Sequence, residues 1–142
     1  MQVEPIHIPG DDRKWNMPYT PAIKVTGGST VYVSGVTAAP VYHSHPHVPA
    51  EFADIPDDAA TQTEMTMANL KTVLESAGAG LGDIVQLMRF MVDQDSNQDA
   101  INRVMGAHLG DHLPASTSVE VVRLATDPRL VLELQAIAVV PG

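Results

Sequence analysis

The sequence predicts an α+β domain in which two helices pack on one face of a mixed β-sheet. Three observations predict it. Short β-runs gather toward both ends of the chain, two amphipathic helical stretches lie between them, and two β-runs are apolar on both faces.

In order, Val3–Ile8 reads as a short strand. "AIKVTGGSTVYVSG" reads as two β-runs, Ala22–Thr26 and Thr30–Ser34, hinged at a Gly27–Gly28 turn as in a hairpin. A loop from Val36 to Asp57 follows, carrying Pro40, Pro46, Pro49 and Pro56, and a loop this long inside a compact domain is usually functional or mobile. "PDDAATQTEMTMANLKTVLESAGAG" is the first helix: Met67, Leu70, Leu74 and Ala77 recur at helical steps, Asp57 or Asp58 caps the start, and Gly78 ends it. "DIVQLMRFMVD", residues 83–93, is a strand with few polar interruptions. "SNQDAINRVMGAHLG" is the second helix, with Ile101, Val104, Met105, His108 and Leu109 on one stripe. "STSVEVVRL" and "RLVLELQAIAVV" are two closing strands around an "ATDP" turn, again as a hairpin.

Strand 83–93 and the last strand have the apolar content of a sheet buried on both sides. Two helices cover only one side, so a second copy of the chain is expected to cover the other. The 142 residues are expected to form one domain spanning 1–142.

Seventeen acidic residues against eight basic ones give a net charge of −9, which argues against a nucleic-acid partner. The absence of cysteine excludes disulfides, thiolate nucleophiles and cysteine-held zinc. No stretch is long and apolar enough to span a bilayer and the start shows no secretory signal, so no membrane partner is expected and a cytoplasmic location is the default.

Three residue patterns carry chemistry. In "VYHSHPHVP" the histidines His43, His45 and His47 alternate, and on an extended strand alternating residues share one face about 6.6 Å apart. His45 precedes Pro46, however, which favours polyproline geometry and would fan the rings apart, and no third or fourth ligand is fixed by the sequence. No metal is therefore assigned. The three remain either pocket-lining groups that titrate near neutrality or plain surface residues. Arg89 is a fixed charge inside the apolar run "QLMRFMV", and a buried guanidinium must be paired, by a protein acid first and by a ligand carboxylate otherwise. Glu133 stands in "LVLELQ", where another apolar residue would be ordinary. It is either an edge-facing or salt-bridged glutamate or an acid/base group whose pKa burial would raise.

The element order and several motifs resemble the Rid (YjgF) family of small enamine/imine deaminases. "PYTPAIKV" resembles its N-terminal Pro-Tyr motif and "VYVSGVTA" its Ser-Gly strand end. "QTEMTMANLKTVLESAGAGLGDIV" is similar to its first-helix signature, with Gln62 and Asn69 in place, and "LPASTSVEVVRL" and "LELQAIAV" to its closing strands. The resemblance implies a chorismate-mutase-like homotrimeric barrel with helices outside, ligand clefts between subunits, and no cofactor.

It also implies site residues. Tyr19 matches the family tyrosine, Ser34 and Gly35 the strand end that offers backbone donors, and Ser118 a position that often carries cysteine. Glu133 matches the glutamate that positions the attacking water. The family's carboxylate-binding arginine falls on Ser116, so this chain departs from the pattern, and Arg89 or the loop with His47 becomes the candidate anchor. Glu133, Tyr19, His43 and His45 are thus the candidate catalytic residues. Ser34, Gly35, Arg89, His47, Ser116 and Ser118 are the candidate substrate contacts. The function implied is hydrolysis of an enamine or imine, of the kind exemplified by 2-aminomuconate among relatives that lack the arginine. The alternative is a non-catalytic trimer that binds small molecules or acts like a chaperone.

Overall fold

The computed structural model describes residues 1–10 and 15–142. Six strands and two helices follow in the order β1 (Gln2–Ile6), β2 (Ala22–Thr26), β3 (Ser29–Val36), α1 (Ala59–Ser76), β4 (Ile84–Met91), α2 (Gln94–Leu109), β5 (Ala115–Glu120) and β6 (Leu132–Val140). Four strands form one mixed sheet in the order β3-β6-β4-β5, while β1 and β2 make a separate antiparallel ribbon. Strand β6 is antiparallel to both neighbours, and β5 runs parallel to β4 across the α2 crossover.

Both expected hairpins are corrected here. Gly27 and Gly28 do take positive φ, as a two-glycine turn requires. Yet β2 pairs with β1, and the edge of β3 pairs with β6. At the other end, β5 and β6 lie on opposite sides of β4, so the chain between them crosses over the sheet. That crossing, residues 121–131, is irregular rather than strand. It is pinned by Leu124 and Leu130, which are buried in a small cluster with Ala38, Ala39, Phe52 and Ile55.

The two helices share one face of the sheet, as the sequence predicts. Met67, Leu70 and Leu74 of α1 and Ile101 and Met105 of α2 close over Leu87 and Met91 of β4 and Leu132, Leu134, Ala136 and Ala138 of β6. Asp58 caps α1 by accepting from the Thr61 N–H at 2.8 Å. Helix α2 begins two residues before its predicted start because Glu120, on β5, accepts from the Gln94 N–H at 2.9 Å. His108 and His112 tie the second helix and its exit to neighbouring elements. His108 pairs with Glu64 at 2.6 Å, and His112 Nε2 donates to the Ile84 carbonyl at 2.7 Å.

The opposite face carries Tyr32, Gln86, Met88, Val119, Glu133, Gln135 and Ile137, placed there by the two-residue alternation of their strands. It is mixed in character, and Tyr32 lies 78% exposed at its middle edge. Among the described residues no helix is long and apolar enough to cross a membrane.

A buried amide ties helix to sheet. Gln62, 1% exposed, donates to the carbonyls of Pro56 and Arg129, both at 2.8 Å, and accepts from the Val131 N–H at 2.9 Å. Gln62→Ala strands backbone groups that water does not reach. Urea denaturation should show a loss of about 2–4 kcal/mol, whereas a loss under about 0.5 kcal/mol, the level of an ordinary surface substitution, would mean the amide is dispensable.

Candidate functional site

The predicted site residues fall into two groups within one chain. Tyr19, Arg89, Ser116 and Ser118 line one cavity of about 540 Å³ between β5, α2 and the segment before β2. Thr20 fastens that segment in place, its hydroxyl donating to the Leu113 carbonyl at 2.5 Å and its N–H to the Pro114 carbonyl at 3.4 Å. Tyr19 is thereby held beside the start of β5.

Arg89 lies on the helix-covered face, in register with Leu134 of β6 and Ser118 of β5. Its Nε donates to Ser118 Oγ at 2.9 Å and its Nη1 to Asn102 Oδ1 at 2.6 Å, with Met105 Sδ at 3.8 Å. Those partners are all neutral. The expected protein acid is not found: among the described residues no carboxylate stands within ion-pair distance of this guanidinium, and Nη2 has no partner. Burial pulls the Arg89 pKa below the ordinary guanidinium value, a sign of a cation taken out of water without a counter-charge. The small side chains of Ser116 and Ser118 leave the cavity open on its β5 side.

The second group surrounds a bulge. Strand β3 pairs regularly with β6 through Val33↔Ala136 and resumes at Val36↔Leu134, so Ser34 and Gly35 together oppose one residue of β6. The Glu133 carboxylate fills the space beside Gly35. A Cβ on Gly35 would lie 2.7 Å from Glu133 Oε2 and 2.9 Å from its carboxyl carbon, so glycine is what admits the acid. Glu133 is half-buried, and burial raises its pKa above the ordinary 4.5. Ser34, Gly35 and His43 also line a crevice of about 340 Å³ with Tyr32, Val41 and Tyr42. Asn69 of α1 fixes the exit from this strand end, donating to the carbonyls of Thr37 and Ala39 at 2.8 and 2.9 Å. A single asparagine on a helix gives no sequence sign of that clamp.

Glu133 and Arg89 do not meet in one chain. Glu133 pairs with Phe90, the next residue along from Arg89, so the two charges project from opposite faces of the sheet. His45 and His47 line neither cavity. The expected fanning of the loop histidines is also corrected: the chain bends at His45 and Pro46 instead of continuing in threefold polyproline, and the three rings gather. Their centroids lie 4.7 Å (His43–His45), 5.1 Å (His43–His47) and 5.2 Å (His45–His47) apart.

The sequence of residues 13–140 matches the model of the family described as Endoribonuclease L-PSP. The chain belongs to this family, the Rid (YjgF) family. A RutC family protein of Pyrococcus abyssi is 34% identical over 122 residues, covering 85% of each chain. A 2-iminobutanoate/2-iminopropanoate deaminase of Escherichia coli K12 is 33% identical over 114 residues, 76% of this chain and 86% of that one. The crystal structure of a conserved Rid family protein from Yersinia pestis superimposes with a TM-score of 0.77 at 25% identity, covering 99% of this chain and 100% of the other. The family therefore includes imine deaminases, and the two-helix, mixed-sheet architecture is the family's chorismate-mutase-like fold.

The raised pKa of Glu133 links protonation to stability. The folded chain holds this proton more tightly than the unfolded one, so the associated stability is complete below pH 4.5 and is lost as pH rises through the raised folded value. Glu133→Gln should therefore gain stability relative to the native chain on going from pH 4 to pH 7, measured by denaturant titration at both. A difference between the two proteins that is the same at both pH values would show that the carboxyl is not perturbed.

Proposed function

We propose that the chain is a cofactor-independent deaminase that hydrolyses an imine carrying a carboxylate, in crevices completed by a neighbouring copy of itself in a trimer. The observation that carries this reading is Glu133, a half-buried carboxyl held against Gly35 with its pKa raised, in a chain that belongs to a family with imine deaminases. The substrate reacts as an iminium. Water adds to its carbon while Glu133 accepts the water's proton, giving a carbinolamine. Glu133 then returns that proton to the nitrogen, and the C–N bond breaks while the carbinolamine hydroxyl gives its own proton to Glu133 to form the ketoacid carbonyl. The departing ammonia takes that proton from Glu133 and leaves as ammonium. A carboxyl with a raised pKa suits both directions of that transfer better than an ordinary glutamate.

Arg89 takes the part of substrate anchor. It is a half-buried cation whose side-chain partners are neutral, lining a cavity with Tyr19 and the two serines. A ligand carboxylate supplies the missing counter-charge by a charge-assisted hydrogen bond. Tyr19, at the rim of the same cavity and 39% exposed, offers a phenol to the reacting end of the ligand. Because serine stands at 116, the guanidinium comes from β4 instead of β5, and the space left at β5 favours substrates larger than 2-aminoacrylate, with 2-aminomuconate as the type. The open sheet face bearing Glu133 and Tyr32 is the surface that a neighbouring copy covers in this reading. Serine at 116 also favours a second reading, a trimer that binds such ligands without turning them over. The ribonuclease activity in the family's description fits poorly with a chain of net charge −9.

Ammonia release from imines generated in place by an amino-acid oxidase, and from 2-aminomuconate, separates the two readings. Turnover should fall by about 10²–10⁴-fold in Glu133→Gln with assembly unchanged. Arg89→Ala should lower kcat/KM by about ten- to a hundredfold, chiefly through KM. Absence of ammonia across the whole panel, with ligand retained by the wild-type protein, would favour the binder. Full activity in Glu133→Gln would remove the catalytic role.

A further inference from the structure

The loop between β3 and α1 builds a cluster that the deaminase reading does not use. One ring nitrogen from each of His43, His45 and His47 lies within 4.8 Å of the other two. Around a tetrahedral ion with bonds of ~2.0–2.1 Å the nitrogens stand about 3.4 Å apart, so closure requires at most about 1.4 Å of movement. Exposed side chains of a loop can supply that by rotation alone, and His45 and His47 are exposed.

The surroundings hold the three rings together. His43 Nδ1 stands 2.9 Å from the Pro40 carbonyl, and donation there leaves the Nε2 lone pair for a metal. This is the outer-shell hydrogen bond that metal-binding histidines characteristically make. Phe52, 3% exposed, packs its ring 5.2 Å from both His43 and His47, giving the cluster an apolar floor. Glu51 bonds Ser44 twice, accepting from its N–H and its hydroxyl at 2.7 Å each, and so clips the histidine segment to the turn at Pro49–Phe52. The Glu51 carboxylate held by these bonds stands beside the histidine segment. Three neutral imidazoles, one carboxylate nearby and no thiolate suit a borderline divalent ion of the zinc class.

We propose that His43, His45 and His47 form a three-histidine site for a zinc-class divalent cation, with its fourth position open to water or a ligand. The loop bearing it supplies Pro40, Val41, Tyr42 and His43 as one wall of the Ser34–Gly35 crevice. Occupation would fix that wall. The site is independent of the deaminase reading: it rests on the loop alone, and its test does not need turnover.

The test is calorimetric titration of Zn²⁺ into the metal-stripped full-length protein, alongside protease digestion of the loop. The wild type should take up one ion per chain, and zinc should slow cleavage within residues 40–52. His43→Ala, His45→Ala and His47→Ala should each weaken binding by more than the about 10–100-fold that loss of an outer-shell partner costs. The double variant His45→Ala/His47→Ala should bind none, while His108→Ala should bind as the wild type does. Because both members of the double variant are exposed loop residues, circular dichroism should show its fold intact. No saturable uptake by the wild type, or uptake that survives in the double variant, would overturn the site.

Discussion

The constraint on which the structure depends is the position of β6. It is paired with β3 on one edge and with β4 on the other, with a register shift in each pairing, and its two faces carry its side-chain packing. One face is aliphatic: Leu132, Leu134, Ala136 and Ala138 are buried and take the helices. The other carries Glu133, Gln135 and Ile137 toward a surface on which no helix packs. A carboxylate in a central strand has no edge to escape from, and here it finds space only because β3 bulges at Ser34–Gly35 and the second of those residues lacks a side chain. The raised pKa of Glu133 follows from that placement and not from a charged neighbour, since burial is its sole cause.

The same alternation separates the acid from the cation. One residue's step along β4 from the partner of Glu133 to Arg89 crosses the sheet, so one chain presents a carboxyl on one face and a guanidinium on the other. The two cannot act on one small molecule within a single copy. A closed assembly of identical chains brings unlike patches together by symmetry, each copy giving one half-site and receiving the other. In this account the uncovered face and the split site have one explanation.

Much of the fold was legible because periodicity reports burial directly. The stripe Met67, Leu70, Leu74 and the apolar β-runs locate both helices, all six strands and the covered face. Strand pairing was less legible. A two-glycine turn looks like a hairpin whether or not the flanking strands bond to each other, and nothing local in "ATDP" says that the chain must cross β4. Of the site, Glu133 was conspicuous as an acid in an apolar strand and Arg89 as a cation in another. Their opposite orientations depend on register, which no single strand displays. The histidine loop was misread for a different reason. The polyproline preference before Pro46 is a local bias, and the chain instead bends at His45 and Pro46, with Phe52 and the Ser44–Glu51 bonds holding the gathered rings from outside the motif.

The central claim is that Glu133 of one copy and Arg89 of another serve one crevice, and subunit complementation tests it most directly. Glu133→Gln and Arg89→Ala chains would be co-assembled in equal amounts and assayed on an imine that the wild type turns over. At substrate well below KM, random mixing in a closed ring should restore about a quarter of the composite crevices. That lies above the roughly 1–10% of wild-type kcat/KM left in the Arg89→Ala parent and the far lower activity of the Glu133→Gln parent. Mixed oligomers that demonstrably form and recover no turnover would place both groups in the service of separate sites and contradict the account.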